Sequence, residues 1–98
     1  MTAAAIRLSP DDNVAVCCRP ITAGETIAID DASVIALDSI DLGHKISLLP
    51  LKSGDKVMKY GVPIGSASQA IPVGSWVHIH NMQSDYISAH LRDATGTQ

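Results

Sequence analysis

Two histidines near the end of the chain have the type and spacing best suited to chemistry. They lie in residues 77–81, Val-His-Ile-His-Asn, where the β-branched neighbours predict a strand over residues 76–80. Residues i and i+2 of a strand face the same side, roughly 6.5–7 Å apart along the chain. We therefore expect His78 and His80 to project together. Such a pair can contribute to a divalent metal site, make another functional contact, or simply face solvent, and the spacing alone leaves all three open.

Two further segments place cations beside glycines. Residues 43–45 read Gly-His-Lys inside a predicted turn, where His44, Lys45 and exposed backbone amides could cradle a carboxylate or a phosphate. Residues 59–65 read Lys-Tyr-Gly-Val-Pro-Ile-Gly, which predicts a rigid bend with Lys59 available to an anion. Tyr60 is expected to be half-buried in the core. In both segments the alternative is an ordinary solvated turn.

A recurring turn organises the elements that must position these residues. Ile or Leu, two residues, Gly, two residues and Ile or Val occur in that order at residues 21–27, 40–46, 51–57 and 71–77. The pattern predicts a tight turn with glycine at positive φ, anchored by an apolar residue on each side. The spacings are uneven, which argues against a solenoid. Short strands are predicted at residues 14–17, 26–29, 34–37, 46–49, 57–60 and 76–80, followed by a weak helix at 84–92.

Composition bounds the class of protein. A chain of 98 residues without Phe has room for one domain, whose core must be built from Ile, Val, Leu and Ala. The short strands and glycine turns predict that this domain is all-β, with its core at about residues 8–87 and a disordered tail at 93–98. A net charge of −3 without a basic stripe argues against nucleic-acid binding. No membrane-length apolar run or signal-peptide pattern is seen, so we expect a cytoplasmic protein with no membrane partner. The adjacent Cys17 and Cys18 are expected to be free thiols.

A complete active site is not visible in the chain. The sequence has no Gly-x-Ser-x-Gly, no Cys-x-x-Cys and no phosphate loop. A core this small leaves little room for an enzyme cavity, so any chemistry is expected at an edge or shared with another chain. The hydrophobic content of 46% also predicts apolar surface hidden against a partner, with a homo-oligomer as one possibility.

The motifs together resemble one known family. Residues 12–16, 43–45, 59–61 with 64–65, and 74–81 follow the order and spacing of the SAF domain of altronate and galactarate dehydratases, over roughly residues 8–86. The resemblance implies an all-β fold of the β-clip type. In that family the small domain precedes a larger domain that carries most of the catalytic residues. In some members, including the sulfolactate sulfo-lyase small subunit, the two parts are separate polypeptides.

The resemblance also implies a reaction and roles for the candidate residues. The family eliminates water from a sugar acid, or sulfite from sulfolactate, after a base removes the proton next to the carboxylate. A divalent metal, commonly iron, would stabilise the enolate-like charge. His78 and His80 are then expected to be catalytic or to bind this metal, with Asn81 as a hydrogen-bonding neighbour.

The same resemblance implies that His44, Lys45 and Lys59 bind the anionic 2-hydroxy acid at the boundary with a separate large catalytic subunit. The chain would then be a lyase subunit that is inactive alone. The alternative is a non-enzymatic SAF-type module that binds sugar or protein, because similar domains occur in sialic acid synthases, antifreeze proteins and flagellar or pilus assembly proteins. The pairing of Gly-His-Lys with His-x-His-Asn favours the lyase.

Overall fold

The protein is built from short antiparallel strands. In the computed structural model, residues 3–84 are described and contain nine strands and no helix. The strands are β1 (Ala5–Ile6), β2 (Val14–Cys17), β3 (Thr26–Ile29), β4 (Ala32–Ile35), β5 (Lys45–Ser47), β6 (Lys56–Lys59), β7 (Val62–Ala67), β8 (Trp76–Val77) and β9 (Met82–Gln83). They form a four-stranded sheet in the order β1-β2-β5-β8, a β3-β4 hairpin and a β6-β7-β9 sheet. The predicted all-β class is confirmed.

The recurring turns share one hydrogen-bond pattern. Gly24, Gly43, Gly54 and Gly74 have φ values of 91°, 85°, 94° and 89°, which confirms the predicted positive φ. In each turn the residue after the glycine donates its N–H to the carbonyl three residues earlier, at 2.9–3.2 Å. The glycine N–H donates across to a more distant carbonyl at 2.7–2.9 Å. This pattern is that of a type II turn, which requires positive φ at its third position.

The four turns pair into two similar halves. The apolar residue that opens each turn bridges its counterpart, Ile21 with Ile40 and Leu51 with Ile71, and all are buried. The first turn of each half lies 30 positions from its equivalent in the other half, and the second lies 31 positions away. The uneven spacing therefore reflects one arrangement used twice, which the sequence analysis did not recognise.

The four-stranded sheet lies between two apolar clusters because side chains of a strand alternate in direction. Ala15 and Ile46 pair directly and belong to one cluster, with Trp76 packed at its edge. Val14 and Val77 belong to the other. Ile46 and Val77 have no solvent exposure, so β5 and β8 form a rigid base at the end of the sheet.

The final strand is shorter than predicted. β8 ends at Val77, and residues 78–81 form a turn in which the N–H groups of Asn81 and Met82 both donate to the His78 carbonyl, at 3.1 and 3.0 Å. The physical reason is the Asn81 side chain, whose Oδ1 accepts the His78 N–H at 3.0 Å and whose Nδ2 donates to the Trp76 carbonyl at 2.9 Å. These local bonds compete with strand pairing.

The segment predicted as a bend is a hairpin. Residues 56–59 and 62–67 pair as β6 and β7, with a register shift at Val57 and Met58. Tyr60, at the hairpin turn, has φ 59° and is 73% exposed, so the expectation of a half-buried tyrosine was wrong. The predicted helix from residue 85 onward and the tail at 93–98 lie outside the described residues. Across residues 3–84, no helix is long and apolar enough to span a membrane.

Candidate functional site

The indole ring of Trp76 is the centre of a cluster of three histidines. Its ring centroid lies 5.6 Å from that of His44, 5.2 Å from that of His78 and 4.8 Å from that of His80. His78 is stacked on the indole with 12° between the planes, and the His44 and His78 rings are 5.1 Å apart. His80 is exposed, while His44 and His78 are half-buried. The predicted histidines are therefore together and accessible.

Two paired strands hold this cluster. In the β5–β8 pairing, Ile46 lies opposite Trp76 and Lys45 opposite Val77. His44 directly precedes β5 in the second recurring turn, and His78 directly follows β8. Trp76 Nε1 donates a hydrogen bond to His44 Nδ1 at 3.1 Å. The sequence analysis gave Trp76 no role, although its place two residues before His78 was a usable signal.

Asn81 stabilises the turn that contains His78 and His80. Its side chain is buried, with 4% exposure, and bonds the backbone of His78 and Trp76 as described above. An asparagine in this position fixes where the imidazole of His78 leaves the sheet. The predicted contact between Asn81 and a substrate stays a prediction.

Two lysines add positive charge beside the rings. Lys45 and Lys59 are both half-buried, and neither forms an ion pair within residues 3–84. Desolvation lowers the pKa of Lys45, and the nearby positive charge of Lys59 lowers it further. The two predicted lysines are thus close enough to repel each other. A bound anion would relieve this repulsion.

His78 lies in the same positive field. Desolvation lowers the pKa of His78, and so do the charges of His44, Lys45 and His80. A histidine whose pKa lies below its usual value of about 6.5 is neutral at pH 7 and can accept a proton. The cluster therefore combines fixed positive charge with a neutral imidazole.

The described residues do not form a metal site on their own. No group of three or more His, Cys, Asp or Glu side chains within residues 3–84 could hold a metal ion. The charges that act on His78 are those of Lys45 and the other histidines, an environment that favours an anion over a cation. The metal-binding role of His78 and His80 stays a prediction.

A buried carboxylate ties the lysine-bearing hairpin to the main sheet. Asp12, the first residue of the 12–16 segment and given no role by the sequence analysis, is 3% exposed. Its oxygens accept the N–H groups of Ser9 at 3.1 Å, Tyr60 at 2.8 Å and Gly61 at 2.8 Å. Burial raises the pKa of Asp12, but the hydrogen bonds from Gly61, Tyr60 and Ser9 outweigh it, so this pKa lies below its usual value.

The neighbouring asparagine strengthens the same connection. Asn13 Oδ1 accepts the Met58 N–H at 2.8 Å, and Asn13 Nδ2 donates to the Lys56 carbonyl at 2.9 Å. Asp12 and Asn13 therefore form hydrogen bonds with the hairpin on both sides of Lys59: Asn13 with strand β6, and Asp12 with the turn that follows it. This attachment explains how Lys59, the last residue of β6, is held close enough to Lys45 in β5 for their charges to interact.

Exposed apolar side chains accompany each part of the cluster. Leu42 is 62% exposed and lies two residues before His44, and Ile79 is 84% exposed and lies between His78 and His80. Tyr60 and Val62, 73% and 53% exposed, follow Lys59. We call these four residues the apolar rim. Large apolar side chains around a charged cluster are typical of a surface that another protein covers.

Comparison with known proteins gives consistent relatives. A family model described as the altronate/galactarate dehydratase SAF domain matches residues 3–85. Altronate dehydratase of Bacillus subtilis (strain 168) is 38% identical over 90 residues, which cover 92% of this chain and 18% of that protein. (2R)-sulfolactate sulfo-lyase subunit alpha of Paracoccus pantotrophus is 41% identical over 54 residues, which cover 55% of this chain and 81% of that protein. The chain thus spans about a fifth of the altronate dehydratase that it matches.

Proposed function

The chain belongs to the altronate/galactarate dehydratase SAF domain family, and from this membership we propose that it is the small subunit of a carbon–oxygen or carbon–sulfur lyase. In this role it helps to bind an anionic 2-hydroxy acid and completes the active site of a separate large catalytic subunit. The observation that carries the proposal is the pair of half-buried lysines, Lys45 and Lys59, without a carboxylate partner in residues 3–84, beside the histidines around Trp76.

The lysines supply the binding site for the anion. Their mutual repulsion and partial desolvation raise the free energy of the empty site. A carboxylate or sulfonate that enters between them removes this cost and forms charge-assisted hydrogen bonds. A sugar acid and sulfolactate both carry such a group beside a hydroxyl-bearing carbon, so the site suits either substrate class.

The histidines supply proton transfer. A base must take the proton from the carbon next to the carboxylate, after which the electrons of that C–H bond form the C=C bond and expel the substituent on the adjacent carbon. Sulfite leaves as the anion, whereas a departing hydroxyl group takes a proton from a general acid and leaves as water. His78 is the candidate base, because the surrounding positive charge favours its neutral form. His80, on the same indole ring, is the second candidate for proton transfer.

The large subunit would cover the apolar rim. Leu42 and Ile79, in turns, and Tyr60 and Val62, at the β6–β7 hairpin, are exposed neighbours of the histidines and lysines along the chain, so we expect one surface laid over them to enclose those side chains as well. The altronate dehydratase relative has more than four-fifths of its length outside the match. The relative from Paracoccus pantotrophus is itself named a subunit. Both facts support a larger catalytic chain as the partner.

A divalent metal enters the proposal only as a group held mainly by that partner. Although three histidines surround Trp76, no three His, Cys, Asp or Glu side chains within residues 3–84 are arranged so that they could hold a metal ion together, and the two lysines make the cluster positively charged. No step proposed here depends on a metal bound to this chain. The prediction that iron is shared between the subunits, with His78 or His80 as a ligand, is tested by metal analysis of the assembled complex.

Co-expression with the large dehydratase-like chain of the same genome tests the proposal. We expect elimination from altronate, galactarate or sulfolactate only when both chains are present. Lys45→Met should reduce kcat/KM about 10- to 100-fold, the equivalent of one charge-assisted hydrogen bond. Lys52→Met, at an exposed lysine of the third turn, is the matched control and should behave like the unaltered chain.

Two results would overturn the proposal. One is equal activity of Lys45→Met and Lys52→Met. The other is unchanged turnover by a His78→Ala/His80→Ala double variant. Sugar or protein binding by the isolated chain, with no lyase activity from any assembled complex, would instead favour the non-enzymatic binding module.

A further inference from the structure

The hydrogen bond between Trp76 and His44 determines where the imidazole carries its proton. An indole N–H is a donor only. It can therefore bond at 3.1 Å only to a nitrogen that offers a lone pair, and that nitrogen is His44 Nδ1. A neutral imidazole carries a single proton, so the proton of His44 must lie on Nε2. Within residues 3–84, His44 Nε2 makes no protein hydrogen bond.

Both partners of this bond are held in place by the backbone. Trp76 is paired with Ile46 across the β5–β8 ladder, and its backbone N–H donates to Asp38 Oδ2 at 2.9 Å. The His44 carbonyl accepts the Cys17 N–H at 2.8 Å. The imidazole is thus oriented by strand pairing and by the indole ring, independently of any ligand, as an effective binding group requires.

We propose that Trp76 is a positioning residue that fixes His44 as its Nε2–H tautomer, so that His44 donates a hydrogen bond to an oxygen of the bound anion. In this state Nε2 has no lone pair for a proton or a metal ion, and Nδ1 is occupied by the indole. His44 is therefore a hydrogen-bond donor, and the acceptor role falls to the other imidazoles. The role toward the anion rests on the proposed function, whereas the tautomer does not.

Nuclear magnetic resonance of the full chain alone tests the tautomer. The sequence contains a single Trp, so its indole N–H signal is unambiguous. At pH 8 we expect a through-hydrogen-bond coupling between Trp76 Nε1 and His44 Nδ1. The His44 Nδ1 resonance should be that of an unprotonated nitrogen. A free imidazole already favours Nε2–H, so the coupling is the decisive signal.

The Trp76→Phe variant keeps an aromatic ring and removes the N–H. Its His44 nitrogens should show a mixture of tautomers while the backbone amide spectrum remains folded. The unaltered chain decides the question even if this variant does not fold. A protonated His44 Nδ1, or absence of the coupling together with rapid exchange of the indole proton with solvent, would overturn the proposal.

Activity of the two-chain complex tests the donor role. Gln at position 44 retains an N–H donor, so His44→Gln should stay within about tenfold of the unaltered kcat/KM, whereas His44→Leu should lose about a hundredfold. Equal loss in both variants would show that His44 acts as a base or a ligand and would refute the donor role. Failure to find any lyase activity would count against the proposed function alone, because the resonance experiment needs no partner.

Discussion

The Asp12→Asn substitution tests how the lysine-bearing hairpin is held. The buried Asp12 carboxylate accepts three backbone N–H groups, from Ser9, Tyr60 and Gly61. Asparagine has the same shape but only one oxygen, so its NH₂ group must face at least one N–H donor. The substitution therefore removes a hydrogen bond to a charged group and leaves a buried donor unpaired.

The expected loss follows from these contacts. A hydrogen bond to a charged group contributes about 1.5–3 kcal/mol, and an unsatisfied buried donor costs about 1–3 kcal/mol. Because such terms are not additive, we expect the free energy of unfolding to fall by about 2–4 kcal/mol. This is a large part of the roughly 5–15 kcal/mol of a typical domain. It corresponds to a fall in Tm of about 10–25 °C.

Denaturant unfolding at two pH values is the assay. The pKa of Asp12 is lower in the folded chain than its usual value of about 3.9, so its contribution is fully present above pH 4 and is lost as the pH falls through the folded pKa. The difference between the unaltered chain and Asp12→Asn should be constant from pH 5 to 8 and shrink below about pH 4.

Asp11→Asn is the matched control, because Asp11 is exposed and its carboxylate makes no hydrogen bond or ion pair within the described residues. It should stay within about 0.5 kcal/mol of the unaltered chain. The reasoning fails if the Asp12 and Asp11 variants unfold alike at pH 7, or if their difference persists undiminished in acid.

Two further predictions concern the turns and the thiols. Gly74→Ala should destabilise the chain by more than about 3 kcal/mol in thermal unfolding, because the new Cβ would lie 2.1 Å from the Ile35 carbonyl oxygen. Gly24 also has positive φ, but a Cβ there would meet open space, so Gly24→Ala should cost only about 1–2 kcal/mol. Equal losses in the two variants would contradict the close approach at Gly74. Burial raises the pKa of Cys17 to about 11, so at pH 8 a thiol reagent should modify Cys18 but not Cys17 in the native chain. Both thiols should react after denaturation, and rapid labelling of both in the native chain would contradict this prediction.

The recurring turns could be predicted because their causes are local. Glycine is the residue that tolerates positive φ at low cost, and the apolar positions on each side must be buried whatever surrounds them. Strands β2 and β3 were predicted with their observed bounds for the same reason, since β-branched residues alternate within them. The candidate histidines and lysines could also be recognised from the sequence by residue type. His44, in the Gly43-His44-Lys45 segment, does lie in one cluster with His78 and His80.

Other features depend on residues far apart in the chain. The bond from Trp76 to His44 spans 32 positions, and the bond from Tyr60 to Asp12 spans 48. A single tryptophan or aspartate gives no sequence period that would reveal such a partner. The end of β8 was predicted wrongly because the alternation of Val77 to His80 suggests a strand, whereas the two hydrogen bonds of the Asn81 side chain stop it.

The sequence by itself therefore determined the all-β class, the glycine turns and the set of candidate residues, because these depend on φ preference, on side-chain alternation and on residue chemistry. Only the tertiary structure decided that an indole ring gathers the three histidines, that Asp12 holds Lys59 near Lys45, and that the two lysines are unpaired within residues 3–84. Distances between distant segments follow from packing of the whole core, and local sequence patterns do not encode them.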